Sequence, residues 1–246
     1  MNKMSSFDYS IYYKRFHDEN NQQHASNMAS WMTNIIKPHL NLQQSASILD
    51  IGCGFGFSLM ALKNLGYTNL TGIEISKEQS DIAKENGFNV ILTSDTIKWL
   101  TEHPASFDFI ILFDVLEHIA VENQIDLLRG IFNALKSKGK LLLTVPNANA
   151  ILNGRWRYND YTHYSSFTEH SLYFVLKNAQ FENIWIDSTK GIGKFPKRIW
   201  NKKNWLNIRK WLVRWFWLQV YKAELPWEKI EDISFELNLT ATAYKM

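Results

Sequence analysis

The stretch Ile48-Leu49-Asp50-Ile51-Gly52-Cys53-Gly54-Phe55-Gly56-Phe57 decides the reading of the chain. Four apolar or acidic residues of strand character run into three glycines at alternate positions, and a helical pattern begins at Phe57. Glycine adopts positive φ and lets backbone approach a ligand closely, so a strand, a glycine turn and a helix in this order predict a ligand cradle. A dinucleotide fingerprint needs its third glycine two residues beyond the position of Phe55, and Phe57 stands there instead. Asp50, immediately before the turn, would repel a pyrophosphate and suits a ligand with a cationic head.

Outward from this turn, strand-like and helix-like runs alternate. Strands are expected at 47–51, 69–75, 88–92, 107–113 and 139–145, and helices at 24–39, 57–65, 77–86, 95–101 and 117–136. Five apolar strands with intervening helices predict a parallel sheet covered on both faces. A helix over 168–179 and strands over 183–188 and 233–244 follow, so a closing hairpin at one sheet edge is expected. The fold class is therefore α/β, a Rossmann-like, mostly parallel sheet of seven strands with helices on both faces and an antiparallel last strand. A single domain accounts for all 246 residues, with a helical N-terminal lid over 1–40, an acceptor loop over 147–167 and an aromatic, basic insertion over 190–230.

Carboxylates stand at three consecutive strand ends: Asp50, Glu74 and Asp95. Glu74 is placed to accept two ribose hydroxyls, and Asp95 to accept from an adenine amino group. The bland alternative is that Asp50 and Glu74 cap turns. Together with Gly52, Gly54, Gly56 and the run Phe109-x-x-x-Phe113-Asp114, these residues resemble the successive motifs of the class I S-adenosylmethionine-dependent methyltransferases. The resemblance covers about residues 45–146 and recurs in the closing hairpin. It implies that Gly52, Gly54 and Gly56 meet the methionine part of S-adenosylmethionine, Glu74 the ribose, and Asp95 with Thr96 the adenine. Phe113 and Asp114 complete the cofactor set.

Methyl transfer to a hydroxyl needs alignment and the removal of one proton. Two segments offer suitable groups. Asp114-Val115-Leu116-Glu117-His118 resembles the Glu-x-x-Glu-His segment of ubiquinone-biosynthesis O-methyltransferases, which implies a divalent metal at Asp114, Glu117 and His118. Alternatively Glu117 and His118 begin a helix and only orient the site. Arg155-Trp156-Arg157-Tyr158-Asn159-Asp160-Tyr161-Thr162-His163 follows the fifth strand, and in it Asp160 could orient His163 as a general base. Arg155, Arg157 and Tyr158 could grip an anionic or polyhydroxyl acceptor. The alternative is a structural lid whose histidine caps the next helix. With Phe167-Thr168 and Ser171-Leu172, this loop resembles bacterial methyltransferases of surface-polysaccharide gene clusters, which implies a sugar or glycan acceptor. A quinone precursor or other small phenol is the second acceptor class, and a non-catalytic cofactor-binding scaffold tethered to a membrane is the third reading.

Charge and composition restrict the partners. A net charge of +3 and a pI of 8.8 are too mild for a nucleic-acid binder, and no nucleic-acid-binding module is recognisable. Cys53 is the single cysteine, which suits a reducing compartment. No signal-like run opens the chain and no stretch reads as a membrane-spanning helix, so a cytoplasmic protein is expected. Residues 199–222 are nonetheless rich in Trp, Lys and Arg, with Trp205, Ile208, Leu212, Trp215 and Phe216 on one helical face. That composition fits a peripheral membrane contact on the inner face of the cytoplasmic membrane, a homodimer contact, or a cover for the sheet. A membrane contact would agree with a lipid-linked acceptor. The aromatics Tyr12, Tyr13, Phe16 and His17 are expected either to fold over the cofactor or to pack on the sheet.

Overall fold

A computed structural model of the protein describes residues 22–187, 202–227 and 233–246. Tyr12, Tyr13, Phe16 and His17 lie outside the described residues, as do 190–201 and 228–230 of the basic insertion. Seven strands form one sheet in the order β3-β2-β1-β4-β5-β7-β6. They are β1 (Ile48–Ile51), β2 (Leu70–Glu74), β3 (Asn89–Leu92), β4 (Phe107–Phe113), β5 (Leu135–Pro146), β6 (Glu182–Ile186) and β7 (Asn238–Tyr244). The first five pair in parallel, and β7 pairs antiparallel with both β5 and β6. The last strand therefore inserts between β5 and β6, and β6 takes the edge.

Both sheet faces are apolar because successive residues of β4 point to opposite sides and all are hydrophobic from Phe109 to Phe113. On one face Phe109, Ile111 and Leu142 pack against Ile36 of helix α1 (Gln22–Ile36) and Leu62 of α2 (Phe57–Asn64). On the other, Ile110, Leu112 and Leu141 meet Leu128 and Ile131 of α5 (Val121–Ala134) and Leu172 of α7 (Glu169–Asn178). Helices α3 (Lys77–Glu85) and α4 (Thr96–Thr101) complete the crossovers, capped by Ser76 and Asp95, which accept from Gln79 N–H and Lys98 N–H. Within the expected lid, α1 packs on the sheet as a structural helix. Its His24 also reaches Phe57, edge-on at 6.0 Å between ring centroids, beside the glycine turn.

Four local features depart from the sequence reading. The closing strand spans only Asn238–Tyr244 of the expected 233–244, because Asn147 and Glu169 take up backbone groups of 234–237. Strand β5 begins at Leu135, where the sequence pattern predicts a helix running to 136: Leu135 is extended, fully buried and paired with Phe107, so sheet pairing overrides helix propensity. Leu116–His118 forms a short 3₁₀ turn, and α5 starts only at Val121. The acceptor loop contains a helix, α6 (Asn153–Asn159), which has no buried residue and hence no hydrophobic periodicity to betray it. Helix α7 is capped by Thr168 and Ser171 in a reciprocal capping box, so His163 is not its cap.

The glycine turn is locked by sterics as well as by φ. Gly52 has φ +71° and a Cβ there would run into Val115 Cγ2 from the β4 side. Gly52→Ala should destabilise the fold by ~1–3 kcal/mol through strain and clash, read as a lowered urea midpoint with an unchanged slope. An unshifted midpoint would show that the turn relaxes at no cost.

Candidate active site

The site is built from the carboxyl ends of β1, β2, β4 and β5. Asp50 in β1 is buried, 2% exposed, and its Oδ2 has no hydrogen-bond partner among the described residues. Burial, followed by the nearby Glu74 charge, pushes its carboxyl well above the usual carboxylate range. An unpaired buried carboxylate oxygen fits a cationic group of a ligand. Glu74 is also buried and ties the turn together: Oε2 accepts from Gly54 N–H, and Oε1 accepts from Ile75 N–H and Ser76 N–H, all at 2.8 Å. Burial raises its pKa, and those three backbone donors oppose the rise. Asp95 is exposed and its Oδ1 is the cap of α4, with Thr96 the first residue of that helix. Phe113 closes the end of β4 and is 9% exposed.

Asp114 departs from the expected metal set. Its backbone is left-handed, φ +51°, and its Oδ1 accepts from Thr144 Oγ1 at 3.0 Å and Asn238 Nδ2 at 2.9 Å. The carboxylate is thereby engaged with β5 and β7. The group that does converge is Glu117, His118 and His163, whose candidate ligand atoms all lie within 4.8 Å of one another. His163, from the acceptor loop, takes the place expected for Asp114. The imidazole rings of His118 and His163 meet edge-on at 4.5 Å.

The hydrogen bonds around this cluster fix where its lone pairs are. Thr162 Oγ1 donates to Asp160 Oδ1 at 2.6 Å, and Thr162 N–H donates to the same oxygen at 2.8 Å. The threonine hydroxyl has one hydrogen, so its 2.8 Å contact with His118 Nδ1 must be donated by the imidazole, leaving Nε2 with a lone pair. Asp160 Oδ2 stands 3.8 Å from His163 Nε2, too long for a hydrogen bond. Asp160 thus acts most directly on His118, through Thr162, a residue that sequence reasoning passes over. His163 Nδ1 and both oxygens of Glu117, itself 1% exposed, are buried without hydrogen-bond partners among the described residues.

Burial, reinforced by the charges of Asp114 and Asp160, pushes the Glu117 carboxyl well above its usual range. Burial and the neighbouring His163 push His118 down to about 4. His163 is lowered as well, by burial first and by Arg157, against the opposing pull of Asp160. Two neutral imidazoles beside a buried carboxyl can accept a proton from a bound hydroxyl, and the same three residues form a donor set suited to a divalent transition metal. Gln124, also buried, holds the 3₁₀ turn through bonds to Leu116 O, Ile119 O and Ser165 Oγ.

On α6, Arg155 is exposed and the Arg157 guanidinium lies 5.1 Å from the Tyr158 ring centroid; Tyr158 itself is 78% exposed. Of the three, Arg157 alone is close enough to act electrostatically on His163.

Comparison with known proteins agrees with this architecture. A family described as methyltransferase domain matches residues 22–185, and the chain belongs to that family. A ubiquinone biosynthesis O-methyltransferase of Rickettsia bellii is 31% identical over 172 residues, covering 64% of this chain and 69% of that one. Among solved structures, a SAM-dependent methyltransferase from Archaeoglobus fulgidus superposes with a TM-score of 0.65 at 20% identity over 97% of this chain and 100% of that one. Phosphoethanolamine N-methyltransferase 2 of Haemonchus contortus, solved with S-adenosyl-L-methionine, gives 0.59 at 18% identity over 88% of this chain and 52% of that one. The protein is an S-adenosylmethionine-dependent methyltransferase with the seven-stranded fold of that class.

The buried Glu117 carboxyl sets a testable sign. Its raised pKa means that the folded protein holds a proton which the unfolded chain releases above about 4.5. The stability it contributes is present below that value and is lost as pH rises through the folded pKa. In the presence of a chelator, Glu117→Gln should therefore be more stable than the native protein by ~1–3 kcal/mol at about pH 8, with a smaller gain at about pH 5. Urea unfolding at both pH values checks this; a destabilised variant at the higher pH would mean that the carboxylate has a charged partner.

Proposed function

We propose that the protein transfers the methyl group of S-adenosylmethionine to a phenolic hydroxyl of a small quinone-precursor acceptor. The observation that carries this reading is the convergence of Glu117, His118 and His163 at the carboxyl ends of β4 and β5. The kinship with a ubiquinone biosynthesis O-methyltransferase supports it over a sugar acceptor. In this reading Gly52, Gly54 and Gly56 bring backbone against the methionine part, and the unpaired Asp50 oxygen receives its cationic amino group. Glu74 accepts from the ribose hydroxyls with lone pairs left over from its backbone bonds, and Asp95 and Thr96 face the adenine. Phe113 and Asp114 border the methyl end.

S-adenosylmethionine supplies an activated methyl on sulfur and leaves as a neutral thioether. The protein's task is to align the acceptor oxygen with that carbon and to take its proton. His118 Nε2 receives the proton as the oxygen–carbon bond forms and the carbon–sulfur bond breaks. Thr162 and Asp160 hold the imidazolium so formed from its Nδ1 side. His163 borders the same space, so its loss would remove both a wall and an alternative acceptor. A divalent ion held by Glu117, His118 and His163 would supply Lewis acidity and lower the acceptor's pKa.

A second reading, a sugar or glycan acceptor, is favoured by one observation. Tyr158 and Tyr161, 78% and 86% exposed, stand with Arg155 on the acceptor loop, a surface suited to sugar rings and anionic groups. A parallel assay of catechols and nucleotide sugars separates the two acceptor classes, and turnover of sugars alone would put the glycan acceptor ahead of the phenol.

Calorimetric titration should show micromolar binding of S-adenosylmethionine and S-adenosylhomocysteine, weakened by about tenfold or more in Glu74→Ala. No binding by the folded protein would remove the cofactor assignments. His118→Ala and His163→Ala should each keep cofactor affinity and lower kcat by about 10²-fold. Unchanged turnover in either variant would take that histidine out of the mechanism.

A further inference from the structure

Helix α8 (Lys202–Glu224) carries an apolar surface that the fold does not use. Its inner side is defined by Ile208, which is buried, and by Trp217, Leu218 and Tyr221, which pack on Ile233 and Phe235. The opposite side exposes Trp205, Leu212 and Phe216, at 56%, 50% and 63%, with Leu206 and Val213 beside them. The stripe expected from periodicity is thus mostly the outward one, and only its Ile208 turns in. Exposed large side chains repeating along three turns of one helix form a patch, in contrast to the scattered singles normal on a surface.

The position of α8 ties this patch to the active site. Tyr221 stacks edge-on against Phe235 at 5.3 Å, and its hydroxyl reaches Asn149 Oδ1 at 3.4 Å. Arg214 bonds Glu236 Oε1 at 2.9 Å. Asn147, the residue after β5, donates through Nδ2 to Ser234 O and Glu236 O and through N–H to Leu237 O. The helix is therefore moored to the carboxyl-end rim from which the acceptor loop springs. That loop also exposes aromatic and apolar side chains, Trp156, Tyr158 and Leu152 among them.

Charge selects the occupant. Over 202–224 the sequence holds Lys202, Lys203, Arg209, Lys210, Arg214 and Lys222 against the single acid Glu224. Arg214 is paired, whereas Arg209, Lys210 and Lys222 are exposed. A second copy docked about a two-fold axis would set this cationic helix against its twin, which like charges oppose. No described helix is long and apolar enough to cross a membrane. An exposed apolar stripe with tryptophan, flanked by long cationic chains that can extend sideways to headgroups, matches the interface of an anionic bilayer.

We propose that α8 lies in the interfacial layer of an anionic phospholipid bilayer and turns the acceptor rim toward it, so that the acceptor is drawn from the membrane. The second half of this statement rests on the methyl-transfer reading above; the first does not.

The test uses the full chain in co-sedimentation with vesicles of phosphatidylcholine alone and with about 30% phosphatidylglycerol, at low and high salt. Binding should be at least about tenfold stronger to the anionic vesicles and should weaken with salt. The triple variant Trp205→Ser, Leu212→Ser, Phe216→Ser should lose about tenfold or more of this affinity while binding S-adenosylmethionine as the native protein does. Native protein left in solution with both vesicle types would overturn the proposal, and so would equal binding by the triple variant. A dimer that the triple variant lacks, without vesicle binding, would overturn it in favour of self-association. Failure to methylate soluble phenols would count against the acceptor assignment and would leave vesicle binding as it stands, so the two readings fail separately.

Discussion

The winding of the parallel sheet reverses at β1, and the site follows from that reversal. β2 and β3 lie to one side of β1, while β4 and β5 lie to the other. Loops leaving the carboxyl ends of β1 and β4 therefore diverge and open a crevice, which is where open α/β sheets bind ligands. Asp50, at the centre, is enclosed by parallel neighbours on both sides, and this is why its charge is costly without a ligand. Glu74 reaches across from β2 to hold Gly54, so one side chain ties the end of β2 to the glycine turn after β1.

The acceptor side follows a different logic. The cofactor side offers backbone donors to carboxylates, whereas the acceptor side gathers buried polar atoms that have no hydrogen-bond partner among the described residues. Both oxygens of Glu117 and Nδ1 of His163 are buried there without partners, and the ligand atoms of Glu117, His118 and His163 lie within 4.8 Å of one another. Such an arrangement weakens the fold slightly and is tuned for whatever brings a proton or a cation into it. The chain Asp160–Thr162–His118 gives this cluster its direction, because it commits one nitrogen of His118 and frees the other.

Much of this is legible in the sequence. The glycine turn, the strand-end carboxylates and the hydrophobic strands are local features, and each appears within a residue or two of its expected place, except at β5 and the shortened closing strand. The seven-stranded topology with its antiparallel last strand is also as expected. Helix α6 is not, because its residues bury nothing and so carry no periodic signal. For α8 the period is visible but its polarity is not: apolar residues surround the helix, and periodicity alone cannot say which stripe faces the protein.

The sequence by itself determined the layered sheet, the cradle after β1 and the class of cofactor, since these depend on residues near one another in the chain and on the period of the strands. Only the tertiary structure decided the partners across loops. It engaged Asp114 with Thr144 and Asn238, brought His163 to Glu117, and linked Asp160 to His118 through Thr162. A left-handed turn at Asp114 and the path of the acceptor loop over β5 set those contacts, and neither is written in the spacing of the residues involved.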